Sequence, residues 1–196
     1  MSGTQTDPRQ ARREAKIAGI LAEAWLLAER DGLALISLRD LAARVNLRQP
    51  SLYVYFASKL DLYDAMFADG YRRLATYLDE RPLPGEPRAA VEHFVVELVR
   101  FASAEPVVHQ LLFQRVIPGF APSTASWEVA LDFYHRARGV LADAGVEHQD
   151  DVDIFSALVA GLCDQQMAND PGGDRWVEHV PRVVAMFLAG AVRPAT

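Results

Sequence analysis

The sequence has 196 residues, 51% of them hydrophobic and 23% charged, with a formal net charge of −6. That apolar share is enough to bury a core and excludes a disordered chain, and the length allows one large domain or two small ones. The single cysteine, Cys163, excludes an internal disulfide, and no apolar run approaches the ~20 residues that span a bilayer.

No secretory leader is visible at the polar start, so a cytoplasmic protein without membrane attachment is expected. The charge is unevenly spread. Residues 1–59 carry 9 basic and 6 acidic side chains, whereas residues 60–196 carry 11 and 20. A nucleic-acid partner responds to the local footprint rather than the total, so the negative sum does not exclude one.

In chain order, residues 1–6 read as an unstructured tip. Asp7-Pro8 is an N-cap followed by proline at the first helical position, and a helix then runs to about Arg30. Ile17, Ile20, Leu21, Ala24, Trp25 and Ala28 mark its buried stripe, and Asp31-Gly32 ends it. Arg9, Arg12, Arg13 and Lys16 cluster at its start, where a basic arm could reach phosphates as readily as a solvated helix end could face water.

Residues 37–59 carry the most specific pattern. Ser37 is a cap with Asp40 three residues on, and Leu38, Leu41, Ala42 and Val45 follow at helical spacing. Asn46 stops the helix, because asparagine tolerates the left-handed backbone of a sharp turn. A second short helix is expected from Gln49 to Tyr55, with Pro50 in its first turn. Leu41, Val45, Leu47, Leu52 and Tyr55 supply contacts between the two helices, and Ala42 allows a close crossing. Arg39, Arg44, Arg48, Gln49, Ser51, Tyr53 and Lys59 are donors outside that apolar set. This is the pattern of a DNA-binding helix-turn-helix, whose second helix enters the major groove.

Ser58, with Asp61 behind it, caps a long helix reaching about Glu80, and Arg81 to Pro87 is a breaker cluster. Five more helices are expected at about 87–103, 106–116, 124–144, 150–168 and 174–191. No strand alternation stands out. The last two are apolar nearly all round, with Ala157, Ala160, Gly161, Ala189 and Gly190 small enough for close approach. The fold class is therefore all-α: about nine helices, forming a three-helix DNA-binding domain with its helix-turn-helix (1–57), a connecting helix and linker (58–85) and a larger dimerisation domain (86–196), to which the resemblance described next adds ligand binding.

The segments Ser37-Leu-Arg-Asp-Leu-Ala-Ala43, Ser51-Leu-Tyr-Val-Tyr-Phe56 and Ser58-Lys-Leu-Asp-Leu62 resemble the tetracycline-repressor (TetR) family of bacterial transcriptional regulators. Residues 159–176 resemble the carboxyl-terminal part of an actinobacterial-type branch. The resemblance implies a homodimer on a palindromic double-stranded operator, most often a repressor, released by a small apolar or amphipathic effector. It places Ser37, Tyr53 and Lys59 at phosphate contacts, and Arg48, Gln49, Pro50 and Ser51 at bases or flanking backbone; Arg39 joins them as an outward donor. Asn46 stands where the family usually has glycine, and Arg48 where serine or threonine is common. Arg48 could read guanine O6 and N7.

For the effector, Phe94, Phe101, Phe113, Trp127 and Tyr134 are candidate walls, with His109 and Gln166 as polar points; Leu112, Phe133, His93 and His135 are further candidates. For the twofold interface, Phe155, Leu158, Leu162, Val180, Val184, Phe187 and Leu188 are expected. No cofactor or metal is expected: the i,i+4 pairs His93/Glu97 and Glu105/His109 are too few ligands for a metal. The competing readings are an enzyme on a helical scaffold, which lacks any nucleophile elbow, phosphate loop or zinc-helix motif, and a protein-docking hairpin without DNA.

Overall fold

The computed structural model describes residues 7–191, so the expectation for residues 1–6 and the last five positions of the carboxyl-terminal segment lie outside the described residues. The described residues form nine α-helices and two 3-10 turns, with no strand. Helix α1 spans Pro8–Asp31. Its cap is Asp7, whose carboxylate accepts from the Arg9 amide at 2.9 Å, and Gly32, at φ 89°, ends it.

Helix α2 spans Leu38–Arg44 and starts on Ser37, whose hydroxyl accepts from the Asp40 amide at 3.3 Å. The turn after it is closed by Leu47 N–H donating to Ala42 O at 2.8 Å, and Asn46 takes φ 55°. It is the only non-glycine at positive φ among the described residues. Helix α3 spans Gln49–Leu52, one turn rather than the two expected to Tyr55. Beyond Leu52 the chain continues as a tight turn in which Tyr55 N–H bonds Leu52 O at 2.9 Å, carrying Phe56 back into the core.

Helix α4 spans Lys59–Asp79, capped by Ser58. Its buried residues, among them Leu62, Tyr63, Met66, Tyr71 and Leu74, join both halves of the chain into one continuous apolar core. Helices α5 (Pro87–Ala104), α6 (Pro106–Phe113), α7 (Thr124–Asp143), α8 (Gln149–Asn169) and α9 (Val180–Ala191) complete the fold. Glu86 caps α5 by accepting from the amides of Arg88 and Ala89, which holds its carboxyl below the usual range. Helix α9 begins six residues later than the expected 174, because Pro181 lacks a donor and belongs in a first turn. The residues before it form a 3-10 turn at Val177–His179.

Helix α4 is fastened to its neighbours by polar bonds as well as by packing. Asp69 accepts from the Trp25 indole of α1 at 2.8 Å and from Arg73 at 3.0 Å. Asp64 accepts from Ser123 N–H at 2.7 Å and from the hydroxyls of Ser123 and Ser126, both at 2.8 Å. Near the other end of α4, Arg136 of α7 donates to Asp79 at 2.6 Å and to Leu78 O at 3.1 Å. Helices α4 and α7 thus run parallel and are tied at both ends. Glu97 of α5, only 5% exposed, receives the Tyr77 hydroxyl at 2.9 Å and the guanidinium groups of Arg81 and Arg100 at 3.1 and 3.2 Å.

Two measurements test this account. Replacing Asn46 by valine should destabilise the protein by about 1–2 kcal/mol in chemical denaturation, whereas glycine should be neutral or better, since φ 55° crowds a Cβ, a β-branched one most, and glycine has none. Burial pushes the phenols of Tyr63 and Tyr71 up from 10.0 to about 12. The folded state therefore holds more protons between those values, and stability should fall as pH rises through that window, by on the order of 2 kcal/mol per tyrosine. Melting curves of Tyr71→Phe protein should show a smaller alkaline loss than wild type.

Candidate nucleic-acid interface and ligand cavity

The short α3 and the turn before it present Arg48, Gln49, Pro50, Ser51 and Tyr53 to solvent, with Arg39 exposed on α2 beside them. Tyr53 is 45% exposed. None of these side chains has a hydrogen-bond or ion-pair partner among the described residues, so their donors are free for an external acceptor. The apolar residues interleaved with them, Leu41, Ala42, Val45 and Leu52, are buried, which fixes the face that the donors occupy. Val54, next to Tyr53, is 72% exposed on the same side; valine carries no polar signal that would mark it in the sequence.

Three expected donors are partly or wholly committed. Arg44 pairs with Glu23 at 3.1 Å. Lys59 donates to Ala34 O at 2.8 Å and lies 5.5 Å from the Tyr63 ring centroid; partial burial lowers its ammonium pKa. An ammonium has three protons, so two remain. The Ser37 oxygen is used as the α2 cap, but its hydroxyl proton is still available. Lys16, on α1, donates to Val45 O at 2.8 Å and so satisfies a carbonyl at the end of α2.

Between α5, α6, α7 and α8 lies a cavity of about 220 Å³. Of the residues singled out in the sequence, Phe94, Phe101, His109, Phe113, Phe133 and Tyr134 line it, joined by Arg138 and Ser156. The rings interlock: Phe133 stacks with Phe94 at 6.1 Å and meets Phe113 edge-on at 5.7 Å between centroids. His109 is 5% exposed, and burial pushes its imidazole below the ordinary pKa against the opposing pull of Asp164, 3.8 Å away. Cys163 also lines the cavity, and burial pushes its thiol up to about 12, which leaves it protonated and unreactive.

Five expected cavity residues stand elsewhere: Leu112, His93 and His135 are outside the lining, as are Trp127 and Gln166. Trp127 is 53% exposed and stacks on Phe67 at the edge of a separate groove. Gln166 is fully buried but structural: it donates to the Asp170 and Gly173 carbonyls and accepts from the Trp176 amide at 2.8 Å, holding the 170–176 loop. Arg138 is absent from the sequence expectation, because a lone arginine in a helix of mixed character gives no signal.

The expected dimer residues divide in the same way. Phe155, Leu162, Val180, Val184 and Phe187 are buried within the protomer, and Phe155 also lines the cavity, so they belong to its core and not to its surface. Leu158 is 41% exposed, and Leu188 is half-buried. The exposed apolar face of α8 and α9 instead comprises Ile154, Leu158 and Met186 with the small residues Ala157, Gly161, Ala189 and Gly190. A helix apolar on two sides hides which side faces inward, and the sequence period could not separate them.

No group of three or more histidine, cysteine, aspartate or glutamate side chains gathers into a metal site among the described residues. No described helix is long and apolar enough to cross a membrane.

A sequence model of the tetR family of bacterial regulatory proteins matches residues 20–66, which span the second half of α1, both helices of the helix-turn-helix and the start of α4. No curated protein matches the chain. Its fold is shared with a Rhodococcus sp. RHA1 protein of unknown function at TM-score 0.71 and 22% identity, covering 91% of this chain and 95% of that one. It is also shared with the TetR-family transcriptional regulator PfmR from Thermus thermophilus, at TM-score 0.62 and 20% identity over 89% and 99% of the two chains. The multidrug-binding protein EbrR, solved with imidazole, aligns at TM-score 0.64 and 20% identity over 99% and 98%. The family is one of transcriptional regulators and not of enzymes. The amino-terminal segment is thus similar to the tetR family of bacterial regulatory proteins, and the whole chain shares the all-helical fold of the regulators just described.

Proposed function

We propose that the protein is a cytoplasmic transcriptional repressor that binds a palindromic operator as a homodimer and is released by a small apolar or amphipathic effector. The observation that carries the DNA assignment is the set of unpaired donors on α3 and its flanks, held out by a buried apolar set. In this reading residues 1–57 read the DNA, residues 58–85 connect, and the remainder binds the effector and dimerises. Arg48, Gln49, Pro50 and Ser51 address bases or adjoining backbone; Arg39, Ser37, Tyr53 and Lys59 address phosphates.

The dimer proposal has its own support. Gly161 and Gly190 have nothing within 4 Å of where a Cβ would stand. A helical glycine costs about 1 kcal/mol relative to alanine. With no neighbour in the protomer to require it, close approach by a second copy accounts for both positions and for the bare Ile154, Leu158 and Met186.

Release follows from how α7 is placed. Phe133, Tyr134 and Arg138 of α7 line the cavity, and Asp64 and Asp79 tie the same helix to α4 at both ends. A ligand that prefers one position of α7 biases the position of α4, and with it the helix-turn-helix. The likeness in fold to EbrR, a multidrug-binding protein, supports a small-molecule effector.

Fluorescence anisotropy on duplexes from the protein's own and neighbouring promoters tests the DNA assignment. Arg48→Ala should weaken specific binding by about 1–3 kcal/mol and relax sequence preference, whereas Tyr53→Ala should weaken it uniformly across sequences with the salt slope unchanged, since a neutral hydroxyl releases no counterion. Undiminished binding by both variants would overturn the placement. Leu158→Glu should yield monomers in sedimentation and lower operator affinity by at least about tenfold, since a charge buried in an apolar interface without a partner costs more than about 1.4 kcal/mol. A Leu158→Glu protein that remained dimeric would remove α8 from the interface.

A further inference from the structure

The cavity is polarised along its length. At one end, Tyr134 and Arg138, one turn apart on α7, both reach Gln149 Oε1, at 3.3 and 2.9 Å. At the other end, His109 stands 3.8 Å from Asp164. Gln149 and Asp164 lie just beyond the two ends of the cavity-lining stretch of α8, Val152 to Cys163, which rises about 16 Å. The two polar ends are therefore separated by a stretch of aromatic and aliphatic wall that includes Phe94, Phe133 and Phe155.

The charges at those ends differ in a way that selects a ligand. Arg138 has no carboxylate within ion-pair distance among the described residues; its hydrogen-bond partner is the neutral Gln149. No aspartate or glutamate lines the cavity. Two nearby acids are committed elsewhere: Asp153 accepts from Gln149 Nε2 at 2.7 Å, and Asp164 accepts from Gln114 at 2.8 Å. His109 is neutral by burial and offers hydrogen bonding without charge. Tyr134 is 42% exposed and Arg138 is half-buried, so that end is open to water.

Building on the effector cavity proposed above, we infer that the ligand is an amphipathic monoanion: an aromatic or aliphatic body held among the phenylalanines, with a carboxylate-like head on Arg138 and Tyr134 at the open end. An anion placed there keeps part of its hydration while gaining a charge-assisted bond from a guanidinium that has no internal acid to displace. A lipophilic cation would meet the same guanidinium with no counter-charge. A neutral ligand of equal body would leave Arg138 as it is and gain only the apolar term. The volume of about 220 Å³ restricts the body to about one or two rings or a short chain.

The test uses three probes of equal body and different head: phenylbutyrate, phenylbutanol and phenylbutylammonium, titrated calorimetrically into the purified full-length protein. The carboxylate should bind at least about tenfold more tightly than the alcohol, the worth of one charge-assisted hydrogen bond, and the ammonium should bind most weakly. Arg138→Gln should remove the advantage of the carboxylate and leave the alcohol unchanged; thermal melting confirms that this variant is folded. Ala137→Trp, which fills the cavity, should abolish binding of all three. If the alcohol or the ammonium matched the carboxylate while Ala137→Trp still blocked them, the anion inference would fall and the cavity would stand. If no probe bound, or if Ala137→Trp left binding intact, the cavity reading itself would fall, and the anion inference with it.

Discussion

Two aspartates on one helix hold this molecule's halves in a fixed relation. Asp64 and Asp79, about four turns apart on α4, each take hydrogen bonds from α7, and the pair therefore move as a unit. Asp64 accepts three donors at once, from the backbone and side chain of Ser123 and the hydroxyl of Ser126, so a single carboxylate caps α7 and fastens it to α4. Asp69 does the equivalent toward α1 through the Trp25 indole. Charge-assisted bonds of this kind are about twice as strong as neutral ones and much more directional than apolar contact. The apolar core gives α4 its place; these carboxylates give it its register against both neighbours.

The arrangement puts the cavity and the helix-turn-helix on opposite arms of one assembly. Rings on α7 form one wall of the cavity, and the amino-terminal turn of α4 follows directly on the segment after α3. Glu97, itself buried, collects Tyr77 and the more exposed Arg81 and Arg100, and Tyr77 also meets the cavity residue Phe101 edge-on at 5.3 Å. A buried carboxylate with three donors resists rearrangement, since breaking one contact leaves charge uncompensated.

What the sequence disclosed depended on whether a residue's role is local. Caps at Asp7, Ser37 and Ser58, the left-handed Asn46 and the apolar spacing of α2 act within a few residues, and each is found in its expected place. The outward donors of α3 followed from the same local spacing. Roles that depend on distant partners were not legible. Gln166 has the character of a cavity group but bonds a loop seven to ten residues on, and Arg138 becomes a cavity group only because α7 is turned by its ties to α4. In α8, Phe155 and Leu158 are three residues apart and equally apolar, yet one faces the core and the other solvent. Hydrophobicity that runs round a helix carries no phase, so tertiary packing alone assigns the faces.

Gly70 sits where α4 presses closely on α6: a Cβ there would come within 3.0 Å of Leu112 Cδ2 and 3.2 Å of Val108 Cγ1. A helix pressed this closely at one point turns about that point more readily than it slides. Lys59 lies three turns away, about 16 Å along the axis, so a tilt of about 5° swings the entrance of the reading head through more than about 1 Å. A bare α-carbon in mid-helix thus marks where α4 comes nearest to α6, and the length of helix beyond it sets how far any tilt about that point would be magnified.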